Sequence, residues 1–199
     1  HPRFTQRMER LLKALFGKEI RYVFPRLWNT KGETLRSFAA LPEGSDWHAT
    51  RSCWRSNRWS SVNGKRRQCG VCAACMLRRL SVHAAGLTEA DDAYVCTDLT
   101  AVSLEEAVDP DFTRMTPAYR QYAIAGVLHM DHLADLASKD GLPVVRRHAA
   151  LLGPALGLGK EQTEESLTRM LSEHAGEWKE FVRSMGSNSF IRQWVRAGL

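Results

Sequence analysis

No apolar run of about 18 residues occurs in this 199-residue chain, so no transmembrane helix and no membrane partner are expected. There is no signal-peptide pattern, no internal repeat and no low-complexity tract. Those absences argue against membrane-spanning, secreted and solenoid classes. Cysteine is scarce as well. The chain has five cysteines, and an odd number without a secretory signal fits a disulfide framework poorly. The expected setting is reducing and cytoplasmic. Basic residues outnumber acidic ones 28 to 22, for a net charge of +6. That balance permits contact with nucleic acid, nucleotides or other anions without requiring it. A 44% hydrophobic composition suits one globular domain, or a domain with a small appendage.

What the chain does have is a grouping of four of its cysteines. Cys69, Cys72 and Cys75 read C-G-V-C-A-A-C, and Cys53 stands sixteen positions ahead of Cys69. Tetrahedral zinc takes four soft ligands at about 2.3 Å, and two C-x-x-C steps sharing one cysteine supply three from a single turn. A distant fourth ligand then pins a second segment to that turn. The spacing predicts a four-cysteine zinc site. With four sulfurs the shell is closed, so the expected role is structural, a staple between the 50s loop and the helix that follows. Gly70 would allow the turn to aim N–H groups at sulfur.

Along the chain, Phe4, Met8, Leu11, Leu12 and Leu15 share one face of a predicted helix over residues 4–16, which Gly17 ends. Residues 19–27 alternate and hold a proline, which predicts a short strand leading to a bend. Thr30 with Glu33 predicts a capping box for a helix over about 31–41, and a loop is expected at 42–46. A loop or hairpin is expected around Asn63-Gly64, then a helix over 72–85. Residues 87–116 are acidic and turn-rich. Helical patterns follow at about 117–139, 143–156, 161–185 and 188–197. The expected fold is mostly α: a short strand, helices, a four-cysteine knuckle and a helical C-terminal extension. The division expected is 1–98 and 99–199.

The segments around the knuckle carry a resemblance. T-R-S-C-W, C-G-V-C-A-A-C-M-L-R-R and A-A-G-L-T-E-A-D-D-A-Y, preceded by P-R-L-W-N-T-K-G-E-T-L, are together similar to the C-terminal half of 7-cyano-7-deazaguanine synthases, the QueC or ExsB family. The resemblance spans about residues 18–95. It implies a parent α/β fold of the PP-loop, adenine nucleotide alpha hydrolase-like kind. It also implies an ATP-dependent ligase that activates a deazaguanine carboxylate, ammonia then giving the nitrile, with ATP and Mg2+ needed by the complete parent. The family's S-G-G-x-D-S phosphate loop does not occur here. The N-terminal PP-loop half is thus expected to be absent from these residues, and whether they belong to an active enzyme is open at this point. The insert between Cys53 and Cys69 is longer than in the housekeeping enzymes. H-P-R-F and T-K-G-E are closer to a divergent, QatC-like branch from anti-phage defence, which implies chemistry turned towards a partner protein in a defence complex or towards nucleic acid.

The resemblance implies that Arg78 lies near nucleotide or substrate, that Lys31 belongs to the T-K-x-E segment, and that His1 sits close to the active site. Arg79 is expected on a solvated helix face. The insert combines Arg51, Arg55, Arg58, Lys65, Arg66 and Arg67 with Trp47, Trp54 and Trp59. Such a composition suits single-stranded nucleic acid, a lid over the site, or an acidic partner equally. A zinc-stapled nucleic-acid-binding or scaffold module without catalysis is therefore the alternative to the ligase. His129 and His132 with Asp131 and Asp135 are more in keeping with ordinary helix histidines than with a second metal site. His48 and His83 read as packing residues, and Cys96 as a buried or free thiol.

Overall fold

The computed structural model describes residues 2–55 and 60–195. Helix α1 (Pro2–Phe16) ends where Gly17 takes φ +66° and its N–H closes onto Lys13. Every residue of α1 retains solvent contact, and Phe4, Leu11, Leu15 and Phe16 are exposed. The strand expected at residues 19–27 does not form. Among the described residues no second segment pairs with it, and Pro25 has no N–H to give a ladder. The segment is held instead by the Tyr22 N–H on Glu9 and by a Lys13–Glu19 ion pair.

Helix α2 (Lys31–Ala39) starts on the predicted capping box. The Glu33 N–H donates to the Thr30 hydroxyl at 3.0 Å, and the Thr30 N–H donates to Glu33 at 2.7 Å. That hydroxyl then donates to Glu177 Oε1 at 2.7 Å, which joins this start to helix α6 (Lys160–Ser184) far along the chain. Gly32 makes the approach possible. A Cβ there would stand 2.4 Å from Glu177 Oε1 and 2.8 Å from the Ala84 side chain. Arg169 of α6 adds a paired grip on Glu33 and on the Trp28 carbonyl. The stretch expected as a loop after α2 coils into a 3-10 helix over Pro42–Ala49, with proline at its start.

Strands β1 (Ser61–Val62) and β2 (Lys65–Arg66) form the predicted hairpin. Asn63 and Gly64 both take positive φ, +50° and +76°, as a two-residue turn of this hand requires. Helix α3 (Ala73–Ala84) follows the cysteine turn. Residues 93–97 then run between 67–69 and 107–109, bonded to both sides. Helices α4 (Pro117–Asp135), α5 (Leu142–Leu156), α6 and α7 (Phe190–Trp194) complete the chain. The end of the helix expected over 188–197 lies outside the described residues.

Helix α3 packs on α2, α4 and α6, so it is the central rod. One buried cluster runs from Val62 through Cys69, Met76 and Val95 to Tyr119, Trp178 and Ile191, and contains residues from both sides of position 98. Each large apolar side chain sealed this way contributes roughly 1.5–3 kcal/mol. A smaller cluster of Val145, Ala149, Leu167 and Leu171 lies between α5 and α6. The structure is mostly helical with one small hairpin, the class expected from the sequence.

Glu177 is a buried carboxyl in this frame. Burial pushes its pKa up; the Thr30 hydroxyl opposes the shift, while Glu173 and Glu33 add to it. The folded protein therefore holds this proton more firmly than the unfolded chain does. The carboxyl opposes folding increasingly as pH climbs from the ordinary glutamate value through the raised one. Glu177→Gln keeps an acceptor for Thr30 and removes the charge. Urea unfolding at about pH 7 is expected to give unchanged or higher stability, by up to about 1 kcal/mol, with the difference vanishing near about pH 4. A clear loss of stability at neutral pH would contradict a buried, unfavourable charge.

Candidate metal centre

Three elements deliver the four sulfurs. Cys53 comes from the extended stretch after the 3-10 helix, Cys69 and Cys72 from the turn, and Cys75 from the first turn of α3. Their Sγ atoms all lie within 4.8 Å of one another, and Cys69 and Cys75 are 3.8 Å apart. A tetrahedron with bonds of about 2.3 Å has edges of about 3.8 Å, so the donor set fits zinc. Cys69, Cys72 and Cys75 are fully buried and Cys53 partly so.

Backbone N–H groups already face the sulfurs. Cys53 Sγ accepts from the Arg55 N–H at 3.3 Å and the Cys69 N–H at 3.2 Å. Cys69 Sγ accepts from the Cys72 N–H at 3.3 Å. Gly70 makes the turn possible with φ +83°; a Cβ there would also meet the Cys96 carbonyl at 2.8 Å. The four thiols share protons. Hydrogen bonding, first with Cys69, draws Cys53 down to about 7. Hydrogen bonding, first with Cys53, holds Cys72 far below the usual thiol range. Cys69 and Cys75 are pushed up, each first through Cys53. Two sulfurs thus favour the thiolate and two retain protons, and a bound divalent cation would displace those protons. Cys72 also caps α3, where the helix dipole favours its negative charge.

The helical extension grips this turn directly, which the sequence reading did not foresee. The Tyr119 hydroxyl of α4 donates to the Cys69 carbonyl at 2.7 Å. Gly126 of α4 lies so close that a Cβ would come within 2.2 Å of the Val71 carbonyl oxygen. A glycine inside an otherwise helical pattern is a sequence signal for such close approach. Arg55 spreads over the Tyr122 and Tyr119 rings at 4.9 and 6.0 Å, fastening the other side of the cysteine loop to α4.

Lys31 and Arg78 do meet. Both line one cavity of about 270 Å³ with Leu35, Phe38 and Trp47. Arg78 is buried and engaged, by Nε on Glu89 and by Nη1 on the Thr50 hydroxyl, each at 2.6 Å, with its guanidinium 5.7 Å from the Trp47 ring centre. Desolvation, with Arg78 nearby, lowers the Lys31 pKa. Its one hydrogen bond among the described residues is a long contact with Ser52, at 3.5 Å. His1, Arg58 and Trp59 lie outside the described residues. Arg79 is not on a solvated face. It donates to the Cys96 and Thr97 carbonyls and covers the Tyr94 ring at 4.4 Å, because the 93–97 segment crosses α3 there. Cys96 is buried, and desolvation pushes its thiol up to about 11. His129 and His132 are exposed, and no second metal-ligand group occurs among the described residues. His48 is exposed too, while His83 sets its ring against Phe181 at 5.4 Å. No described helix is long and apolar enough to cross a membrane.

The sequence profile of the family described as "Queuosine biosynthesis protein QueC" matches residues 1–86. This part of the chain is QueC-like. The match covers α1, α2, the hairpin, all four cysteines and α3, and stops before the 93–97 segment and the extension that grips the turn. No curated protein and no solved structure matches the chain.

Cys72→Ser is expected to abolish metal retention, because it removes one of four donors and the N-terminal anion of α3. Gly126→Ala should instead keep the donor set and force α4 off the turn. Its expected signature is a stability loss of about 1–3 kcal/mol with faster release of zinc to a chromophoric chelator. Unchanged zinc stoichiometry in Cys72→Ser, measured by elemental analysis, would reject this site.

Proposed function

We propose that this chain is the zinc-stapled portion of a QueC-like ATP-dependent ligase acting on a deazaguanine carboxylate. The observation that carries the reading is the QueC match over residues 1–86, which encloses the cysteine set together with Lys31 and Arg78. The cavity shared by those two residues supports it chemically. Leu35, Phe38 and Trp47 offer apolar and aromatic faces to a flat heterocycle, and Lys31 offers a cation to a carboxylate. Arg78 is the positioning partner. With Glu89 and Thr50 holding its guanidinium, it adds positive potential without needing to move.

In this reading the zinc is structural. A closed four-sulfur shell leaves no position for a reacting water, so its task is to hold Ser52 and Thr50 opposite α2 and α3. ATP would activate the carboxylate, releasing pyrophosphate on activation and AMP when ammonia attacks the activated carbon. Holding the carboxylate in line with the nucleotide is the main work asked of Lys31. The phosphates and Mg2+ would be bound by a PP-loop unit, and the exposed apolar face of α1 with Ile20, Tyr22 and Val23 is where that unit would dock. The alternative, a non-catalytic binding or scaffold module, retains the same zinc staple and asks nothing of Lys31.

The test is AMP and pyrophosphate release by the protein encoded by the complete reading frame, given ATP, 7-carboxy-7-deazaguanine and an ammonium salt. Substrate-dependent AMP is the expected result. Lys31→Ala is expected to lower kcat/KM by about 10- to 100-fold, corresponding to about 1.4–2.7 kcal/mol, with zinc content unchanged. No AMP from folded, zinc-loaded protein would favour the non-catalytic alternative. A place in anti-phage defence is the finer form of the proposal and rests on the H-P-R-F and T-K-G-E wording. Phage plaque counts on cells expressing the complete gene, compared with Lys31→Ala, check it. Equal counts for both would separate the chemistry from defence.

A further inference from the structure

A second cavity, of about 240 Å³, lies where the hairpin faces the stretch that follows the 3-10 helix. His48, Arg51, Lys65, Arg66 and Arg67 line it, with Glu89 and Asp92. Most of the opposing charge is already used. Arg67 is paired with Asp109 at 2.6 Å, and Glu89 is taken by Arg78 and by the Tyr94 hydroxyl. Arg51, Lys65 and Arg66 are exposed, and none forms an ion pair among the described residues. Three unspent cations therefore converge on one opening, against the lone carboxylate of Asp92.

The mount is rigid. Lys65 and Arg66 form β2, whose register is fixed by the Asn63-Gly64 turn. Gln68 lines the cavity and accepts the Ser52 N–H at 2.9 Å, which fixes Arg51 across from the hairpin. Cys53 and Cys69 hold both segments to the metal centre. Two residues beyond Ser52, Trp54 is 69% exposed, an unusual position for so large an apolar surface. Cations with an exposed indole three residues after Arg51 in the chain match a run of phosphates bearing flat bases. The cavity lining is charged and polar apart from Ala90 and Ala93, with no Phe or Trp face to hold a flat heterocycle inside. Such an opening suits consecutive phosphates of a strand that runs across it and continues over the surface.

We propose that this face binds single-stranded nucleic acid, with Arg51, Lys65 and Arg66 on the phosphates and Trp54 stacked on a base. The opening shares Thr50 with the Lys31 cavity, but none of the three cations lines that cavity, and the proposal does not depend on the ligase reading. Counterion release sets the size of the effect. Three phosphate contacts on a single strand give a salt slope of about −2, so affinity should fall about 20-fold between about 50 and about 200 mM salt.

The experiment is fluorescence anisotropy of zinc-loaded protein with labelled poly-dT and poly-U strands of about twelve nucleotides, over that salt range. Lys65→Ala with Arg66→Ala removes two exposed contacts. The double variant should reduce the salt loss to about threefold, with zinc content and melting unchanged. Trp54→Ala should weaken binding about 10-fold or more while leaving the salt slope intact, because stacking is not ionic. Absence of binding at low salt would overturn the proposal, as would a double variant that binds like the wild type. Equal competition by inorganic triphosphate, compared at matched phosphate, would assign the cations to free phosphate compounds and overturn the strand.

Discussion

Four sulfurs held within a few ångströms of one another set the terms for everything around them. Thiolates repel, and buried thiolates repel strongly, so such a cluster needs either shared protons or a cation at its centre. The proton pattern over Cys53, Cys69, Cys72 and Cys75 is the first solution, and zinc is the second. Either way, the extended stretch at 50–53 and the start of α3 are tied at one point. The 3-10 helix, the hairpin and the Arg78 network are all referred to that point. The cavity holding Lys31 and the basic cavity at the hairpin meet at Thr50, three residues before Cys53.

The extension is the second constraint. Tyr119 and Gly126 put α4 against the backbone of the cysteine turn, while Glu177 and Arg169 put α6 against the start of α2. The QueC-like segment and the helices beyond it therefore share a core. Removing the extension would leave the Cys69 carbonyl without its hydroxyl donor and would expose the apolar face of α3. Buried polar groups are costly when they lose a partner. That physics makes the extension part of the scaffold, whatever else it binds.

The sequence made the local features readable and left the long-range ones hidden. Cysteine spacing announced a four-ligand cluster because metal geometry restricts both residue type and separation. Thr30 with Glu33, and Asn63 with Gly64, were legible because a capping box and a two-residue turn are written in adjacent letters. The segment at 19–27 misled because alternation describes a strand only when a partner supplies the ladder, and none does among the described residues. Arg79 misled for a related reason. Its position on α3 was clear, but the segment that crosses it comes from residues 93–97. Gly126 and Glu177 were missed because their partners lie about 50 and about 150 positions away, distances over which periodicity carries no information.

The bond between Thr30 and Glu177 closes a loop of 147 residues. At synthesis rates of about 5–20 residues per second, some 7–30 s separate the appearance of those two side chains from the ribosome. All four cysteines emerge early in that interval, long before α6 exists to seal the start of α2. Tyr119 and Gly126 also arrive after the last of the four sulfurs. The nascent cysteine turn is thus open to metal, and to oxidants, before the helices that will enclose it have been made. The order of synthesis completes the four-sulfur set first and its confinement second.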